Sequence, residues 1–462
     1  MLGILGVFLS LALLMYLAYR GVDVIILAPA MALLAVLCSC DMPLFASYTQ
    51  IFMTALGSFI VKYFPIFLLG AIFGKLLDDS GAAKVIAHRI AEIVGQQRAI
   101  LAVVLACALL TYGGVSLFVV AFAVYPLAAV MFRQAGIPKR LIPGAIALGS
   151  FTFTMTCLPG TIQIQNLIPM PYFKTTAFAA PGLGTLGGLL LFLLGMFWLH
   201  RRARRALRSG EGYGTGHLNE PSPESDRKLP TFAVAVLPVL VVLVLNYIFA
   251  EHVMRRWDAG YLADARYGAT DLDKVRGIWA ILAALLISIA LLALLTRRPL
   301  SQLNASLSKG SVGSLVPIFN TASVVGFGAT IASLPAFAMI KERLIGLSPG
   351  NPLVSEAVAV NVLAGITGSA SGGLSIVMEI LGDTYYRMAL DTGISPEVMH
   401  RVSSMASGGL DSLPHNGAVI TLLIVCGLTH RQSYLDIAMV SVVIPLVALC
   451  VVVAMGTMLG SF

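Results

Sequence analysis

Residues 99–132 run for 34 positions without a charged side chain, and this stretch constrains the fold more than any motif in the chain. As a single straight helix rising 1.5 Å per residue it would extend about 51 Å, far past the ~30 Å hydrocarbon core of a bilayer. The run therefore folds back or lies steeply tilted. Its centre reads Thr111-Tyr112-Gly113-Gly114-Val115-Ser116. Each of those glycines weakens a helix interior by about 1 kcal/mol, so the reversal is expected there. Two further stretches, 141–173 and 396–428, are interrupted by Leu158-Pro159-Gly160-Thr161 and by Leu413-Pro414-His415-Asn416-Gly417.

Soluble domains carry about 25% charged residues; here 11% are charged and 58% hydrophobic, which excludes an ordinary soluble enzyme. The 44 glycines and 22 prolines are residue types that mark close packing and breaks in membrane helices. Ordinary spans of roughly 20 apolar residues are predicted near 2–19, 22–40, 55–78, 182–199, 229–250, 277–296, 313–340 and 433–459. The first of these lacks a basic leader and a small-residue cleavage site, so it reads as a retained span. The net charge of +8 comes from basic residues at the ends of apolar runs, which sets orientation and indicates no nucleic-acid partner. The six cysteines form no CxxC pair, and no zinc site, disulfide framework or cofactor is expected.

The two halves share landmarks. Gly113-Gly114-Val115-Ser116-Leu117 recurs as Gly372-Gly373-Leu374-Ser375-Ile376, an offset of 259 (372 − 113); Gly136-Ile137 matches Gly393-Ile394 at 257 (393 − 136), and Leu158-Pro159 matches Leu413-Pro414 at 255 (413 − 158). Ordered landmarks at nearly constant offset indicate an internal repeat. Segment 200–228 contains Arg201, Arg202, Arg204, Arg205, Arg208, Arg227 and Lys228 and is expected in the cytoplasm, with the charge-balanced segment 251–276 outside. Arg133, Lys139 and Arg140 fall inside only if 99–132 is a re-entrant hairpin. The expected fold is thus an all-α polytopic membrane protein of two inverted repeats, each with five spans and one hairpin. Residues 1–200 form the first repeat, 201–228 a basic cytoplasmic linker, and 229–462 the second repeat, whose hairpin (354–382) enters from outside. Both termini lie outside, in a bacterial-type inner membrane.

Glycine-rich breaks at membrane depth expose backbone N–H groups at a half-helix start, where the helix dipole favours an anion. Broken helices in matching positions of inverted halves point to a midplane substrate site. The candidate substrate-binding residues are Gly113, Gly114, Ser116, Thr161, Gln163, Ser371, Gly372, Gly373, Ser375 and Asn416, with Thr111 and Ser369 flanking the turns. Asp411 and His415 lie in a stretch otherwise uncharged between Arg401 and Arg431. Ionisable residues there are costly to insert and suit proton coupling. Lys62, Glu356 and Glu379 lie nearer segment ends and read as interfacial.

The blocks LTYGGVSLFVVAFAVYPLA, AGIPKRLIPGAIALGSFTFTMTCLPGTIQIQNLIP and SSMASGGLDSLPHNGAVITLLIVCGLTHRQSY resemble the gluconate:proton symporter (GntP) family of permeases, above all its hydroxybutyrate-permease-like branch. The resemblance covers most of the chain outside 200–276. It implies proton-coupled uptake of a hydroxy-monocarboxylate and a fold of the ion-transporter superfamily, with a scaffold and a mobile domain that carries both hairpins. Gluconate-type members have a histidine in the first-half break, where this chain reads Cys157-Leu158-Pro159-Gly160. A smaller acid such as 3-hydroxybutyrate is therefore favoured over gluconate. The partners expected are this small organic anion and the bilayer, with a homodimer left open.

Two alternatives remain at this level. Sodium could replace the proton in a carboxylate transporter, since oxygen ligands are present at both breaks. An intramembrane hydrolase would use Ser116, Ser371 or Ser375 with His415, but none of these serines stands in a GxSxG context and no HExxH is present.

Overall fold

In a bilayer core a backbone amide finds no water, so uncharged stretches of this length close their hydrogen bonds internally as helices. The computed structural model describes residues 2–20, 22–220, 229–346, 348, 350–414 and 416–462, and among them every regular element is helical. Six helical stretches are long and apolar enough to cross a membrane: Leu44–Asp79, Pro181–Arg208, Phe232–Arg256, Leu272–Thr296, Leu300–Ser333 and His430–Leu459. Their outward faces carry exposed side chains such as Val61, Leu189, Leu193, Phe197 and Leu294. That is the surface lipid requires.

The run 99–132 is not one helix. Ala99–Tyr112 and Leu117–Gln134 are joined by a short turn and pack against each other as a hairpin. The first arm, 14 residues, is about 21 Å long and too short to cross alone. A second hairpin joins Pro352–Thr367 to Ala370–Thr392. Each hairpin is followed by a helix that stops abruptly: Ile142–Ser150 gives way to a broken stretch at 151–163 that holds a single helical turn, Phe153–Thr156, and Pro396–Ser407 to irregular chain at 408–414 and Asn416. The order of elements is the same in both halves: long helix (Met53–Asp79, Leu300–Ser333), short helix (Ala82–Val94, Pro335–Ile345), hairpin, broken helix, long closing segment.

Corresponding helices run antiparallel. A Cβ on Gly310 would meet Ile72, and one on Gly326 would meet Phe52, so Leu300–Ser333 descends along Met53–Asp79. Gly182 likewise lies against Phe462, Gly187 against Val452, and Trp198 bonds Asp436. Helices Leu2–Tyr19 and Val24–Ser39 form a separate apolar cluster with Phe52, Phe327 and Ile331, while one large core joins the hairpins, the broken helices and the closing helices.

Several boundaries differ from those expected. The predicted span 313–340 is a helix from Leu300 to Ser333 that ends before Pro335, because the residue preceding a proline is driven out of helical geometry and Leu334 is extended. The span expected at 182–199 continues to Arg208, so the linker starts at Ser209; its residues 221–228 lie outside the described chain. The second hairpin reaches Thr392, past the expected 382. Its turn falls at Gly368-Ser369, not at Gly372-Gly373. Gly368 takes the left-handed conformation (φ +61°) and Ser369 caps the next helix. That combination ends one helix and begins another better than a glycine pair does.

Candidate functional site

At the first hairpin tip Gly114 has φ +89°, which favours glycine, and Ser116 caps the second arm by accepting from the Val119 N–H at 3.5 Å. The N–H groups of Gly113, Gly114 and Val115 already donate to the carbonyls of Leu109, Thr111 and Leu110 at 2.9–3.0 Å. These amides close the end of the first arm. They are not the open anion cradle expected from the sequence; unpaired amides of a helix start belong to the turn that follows.

This tip is clamped by the first break. The Tyr112 hydroxyl donates to the Pro159 carbonyl (2.6 Å), and the Gln163 carboxamide donates to the carbonyls of Thr111 (2.7 Å) and Val115 (3.4 Å). Ile162 fills the space above Gly114, while Gly113 abuts Val239 of helix Phe232–Tyr247. Thr161 is fully buried and spends its hydroxyl on the Thr154 carbonyl (2.7 Å), which makes it a brace of the break.

The second tip meets the second break in the same manner. The Asn416 carboxamide donates to the carbonyls of Gly368 and Asp411 (2.9 Å each), and its oxygen caps the following helix at Ala418 and Val419. Gly365 lies against Leu410, and Gly409 against the Asn361 side chain. Gly372 and Gly373 lie in the first turn of Ala370–Thr392; a Cβ on Gly373 would sit 2.2 Å from the Ala364 nitrogen. They serve arm-to-arm packing, and the Gly372 N–H is already bonded to the Ser369 hydroxyl (3.1 Å). The Ser371 hydroxyl stands 3.4 Å from those of Ser369 and Thr321. Ser375 is buried with, among the described residues, no partner for its hydroxyl, as is Thr111 in the first hairpin.

Between the tips the two breaks touch. The Ser404 hydroxyl donates to the Thr156 carbonyl (2.9 Å), and Gly408 packs on the Thr156 methyl. Beside this contact Arg401 and His400 are wholly buried. Arg401 donates to the carbonyls of Ala179 (2.8 Å), Thr156 and Ala177 (both 3.4 Å) and to the Asn166 oxygen (2.9 Å), which also lies 3.3 Å from His400 Nε2. His400 Nδ1 is 2.6 Å from the Thr175 hydroxyl. Asp411 is buried and receives a 3.2 Å bond from Ser412, with no salt bridge among the described residues. His415 lies outside the described residues. Among those described, no hydrogen bond joins Ser116 to Ser375 or any serine of the hydrolase alternative to a histidine.

At one end of the molecule the chain after the first hairpin meets the linker. Arg133 and Lys139 pair with Glu220, and Arg140 binds both Glu211 (2.7 Å) and Asp436 (3.3 Å). Asp436 also accepts from Arg202 (2.8 Å) and the Trp198 indole (3.0 Å). The Arg140 guanidinium bonded to Glu211 holds that carboxyl below its ordinary value. A cleft of about 530 Å³ on the same side is lined by Phe197, His200 and four arginines of helix Pro181–Arg208. It lies on the linker side, away from the breaks.

Sequence reasoning missed three buried groups. Arg401 read as the edge of an uncharged stretch and His400 beside it drew no reading, yet they hold the first break against the helix that leads into the second. Glu356, read as interfacial, has zero exposure and, among the described residues, no partner for either oxygen. For Glu356 the available signal was its standing as the single charged residue of Pro352–Thr367. Lys62 is partly exposed and stacks on the Tyr172 ring at 4.1 Å, and exposed Glu379 accepts from the Tyr172 hydroxyl.

The GntP family permease model matches residues 2–334. The uncharacterized transporter YxjC of Bacillus subtilis strain 168 is 47% identical over 450 residues, covering 95% of each chain. An uncharacterized transporter of Haemophilus influenzae is 26% identical over 179 residues, 38% of this chain and 40% of its own. Among solved structures, the YdaH transporter of Alcanivorax borkumensis, described as having an unusual topology, superposes with a TM-score of 0.54 at 16% identity, covering 87% of this chain and 86% of that one. MtrF of Neisseria gonorrhoeae, assigned to a class of antimetabolite efflux pumps, also gives 0.54, at 14% identity over 90% and 84%. At these identities the two structures speak to the fold alone.

Proposed function

The chain belongs to the GntP family of permeases, a multi-pass membrane transporter and not an enzyme, and from that premise we propose that it imports a small hydroxy-monocarboxylate together with protons. One observation carries this reading: two discontinuous segments, each clamped to its own hairpin tip, meet at Thr156 and Gly408 inside the protein, with Asp411 buried beside them. Broken helices that converge from two halves are how transporters present partial charges and carbonyls to a solute at membrane depth. The antiparallel pairing of corresponding helices supports an inverted repeat, and the bonds of Arg133, Lys139 and Arg140 to the 209–220 segment support a first hairpin entered from the cytoplasm.

In this reading the substrate carboxylate lies between the hairpin tips. It is held by the amides that begin Leu117–Gln134 and Ala370–Thr392 and by the hydroxyls of Ser116, Ser371 and Ser375. Gln163 and Asn416 position the tips. Asp411 and His415 exchange the coupled proton, because a histidine is a poor sodium ligand and titrates near neutral pH. The lack of a histidine at Cys157–Gly160 favours 3-hydroxybutyrate over gluconate.

Purified protein in liposomes, given labelled 3-hydroxybutyrate, should accumulate it when the outside is made acidic and not when a sodium gradient alone is imposed. Sodium-dependent, pH-insensitive uptake would refute proton coupling and establish the sodium alternative.

A further inference from the structure

Glu356 lies in the second hairpin, in the middle of the buried face of Pro352–Thr367. On one side its neighbour Ser355 shares a 2.8 Å hydrogen bond with Tyr385 of the other arm; on the other, Leu353 packs at Gly456 together with Val398 of helix Pro396–Ser407. Among the described residues both carboxyl oxygens are without a partner, at zero exposure. Further along the same helix the Asn361 oxygen is also unpartnered, where it abuts Gly409 of the second break. Three buried acceptors on this arm thus go unmet while it is packed on the rest of the protein. An ionised carboxylate in that position would have neither water nor, among the described residues, a counter-charge, and its desolvation would go uncompensated. A neutral acid leaves only ordinary unmade hydrogen bonds, a far smaller cost.

Among the described side chains, the charged groups of the surrounding helices are exposed or bonded elsewhere. Tyr385 faces Glu356 from Ala370–Thr392, where Glu379 binds Tyr172 and Asp383, Arg387 and Asp391 are exposed. On Pro396–Ser407, His400 and Arg401 turn to the first break, while Glu397 accepts from the Ala180 N–H and the Ser461 hydroxyl. Glu342 and Arg343 of Pro335–Ile345 are exposed, and Leu2–Tyr19 and Ile444–Leu459 contain no charged residue.

We propose that Glu356 is a second proton-carrying group of the transport cycle, loaded while the second hairpin is packed as described and released only when that hairpin parts from helix Pro396–Ser407. The inference rests on the proton-coupled reading above. In the release step the carboxyl O–H bond breaks and the proton passes to water admitted by the movement; on return the carboxylate takes a proton from water on the other side. Burial thus prevents the carrier from discharging while the hairpin is closed.

Glu356→Gln keeps the shape and the neutral state but cannot release a proton. In liposomes given labelled 3-hydroxybutyrate, this variant should still exchange substrate at equal pH, while accumulation driven by a pH gradient falls at least tenfold and the pH profile of uptake flattens. Glu356→Asp, which restores the acid, should regain part of the gradient response. Accumulation by Glu356→Gln equal to that of the unaltered protein overturns the assignment and leaves proton coupling standing. Failure of both variants to exchange would show a structural role and also overturn it. If the unaltered protein itself shows no pH-driven uptake, proton coupling fails and this inference with it.

Discussion

A methyl group placed on Gly114 probes the contact between the first hairpin tip and the first break. At φ +89° any side chain at this position costs about 1–2 kcal/mol. The new Cβ would also lie 2.1 Å from Ile162 Cδ1 and 2.7 Å from Cγ1, against the ~3.5–4 Å at which carbon atoms rest. Relieving that overlap has the character of overpacking and costs about 1–3 kcal/mol. Gly114→Ala should therefore destabilise the protein by about 2–5 kcal/mol, the sum of the two. Ile162→Ala by itself empties a buried site and should cost about 2–5 kcal/mol. In the double variant the added methyl enters the space vacated by isoleucine, so the overlap disappears and only the backbone strain and part of the cavity remain. The two changes should then fall short of additivity by about 1–3 kcal/mol. Thermal unfolding of the four purified proteins in detergent, alongside uptake in liposomes, measures this shortfall. Additivity within about 0.5 kcal/mol would mean that tip and break do not touch, and the geometry of the site would be wrong.

Three further outcomes are expected. Single cysteines at Gln97 and Ala135, in a background without the six native cysteines, should react with impermeant reagent from the same side of the membrane; reaction from opposite sides would show that 99–132 spans. Ser116→Ala and Ser375→Ala should each weaken substrate binding a few-fold, on the order of 1 kcal/mol, as read by displacement of labelled substrate; unchanged affinity in both would remove the carboxylate from between the tips. Asp411→Asn and His415→Ala should lose uphill uptake driven by a pH gradient while downhill exchange persists, and full accumulation by both variants would clear them of proton coupling.

Part of the site was legible because it depends on local chemistry. A glycine pair in an uncharged run that is too long to be one span has to be a reversal, and Ser116 follows it where a helix cap belongs. Asn416, read from the sequence as a substrate-binding residue, caps the helix that follows the second break. Identical motifs misled where their partners differ. Gly113-Gly114 forms a turn because Gly114 must take a positive φ beside Ile162, whereas Gly372-Gly373 is helical because Gly368 and Ser369 make the turn first and Ala364 needs a bare backbone opposite Gly373.

What the sequence by itself determined is the membrane environment, the two hairpins and the two breaks. Each follows from hydrophobic length, from proline and glycine, and from charge placement, all of which act over a few residues. Only the tertiary structure decided which polar groups are buried and what they hold. His400, Arg401, Ser403, Ser404 and Ser407 would suit the wet face of a short helix. Arg401 and Ser404 are buried as donors to carbonyls near the first break, more than 200 residues earlier in the chain, and His400 bonds the Thr175 and Asn166 side chains there, whereas Ser403 and Ser407 return their hydroxyls to carbonyls of their own helix. Glu356 stands out in the sequence only as the single charge of its helix; its burial is decided by what packs against that helix and not by the helix itself.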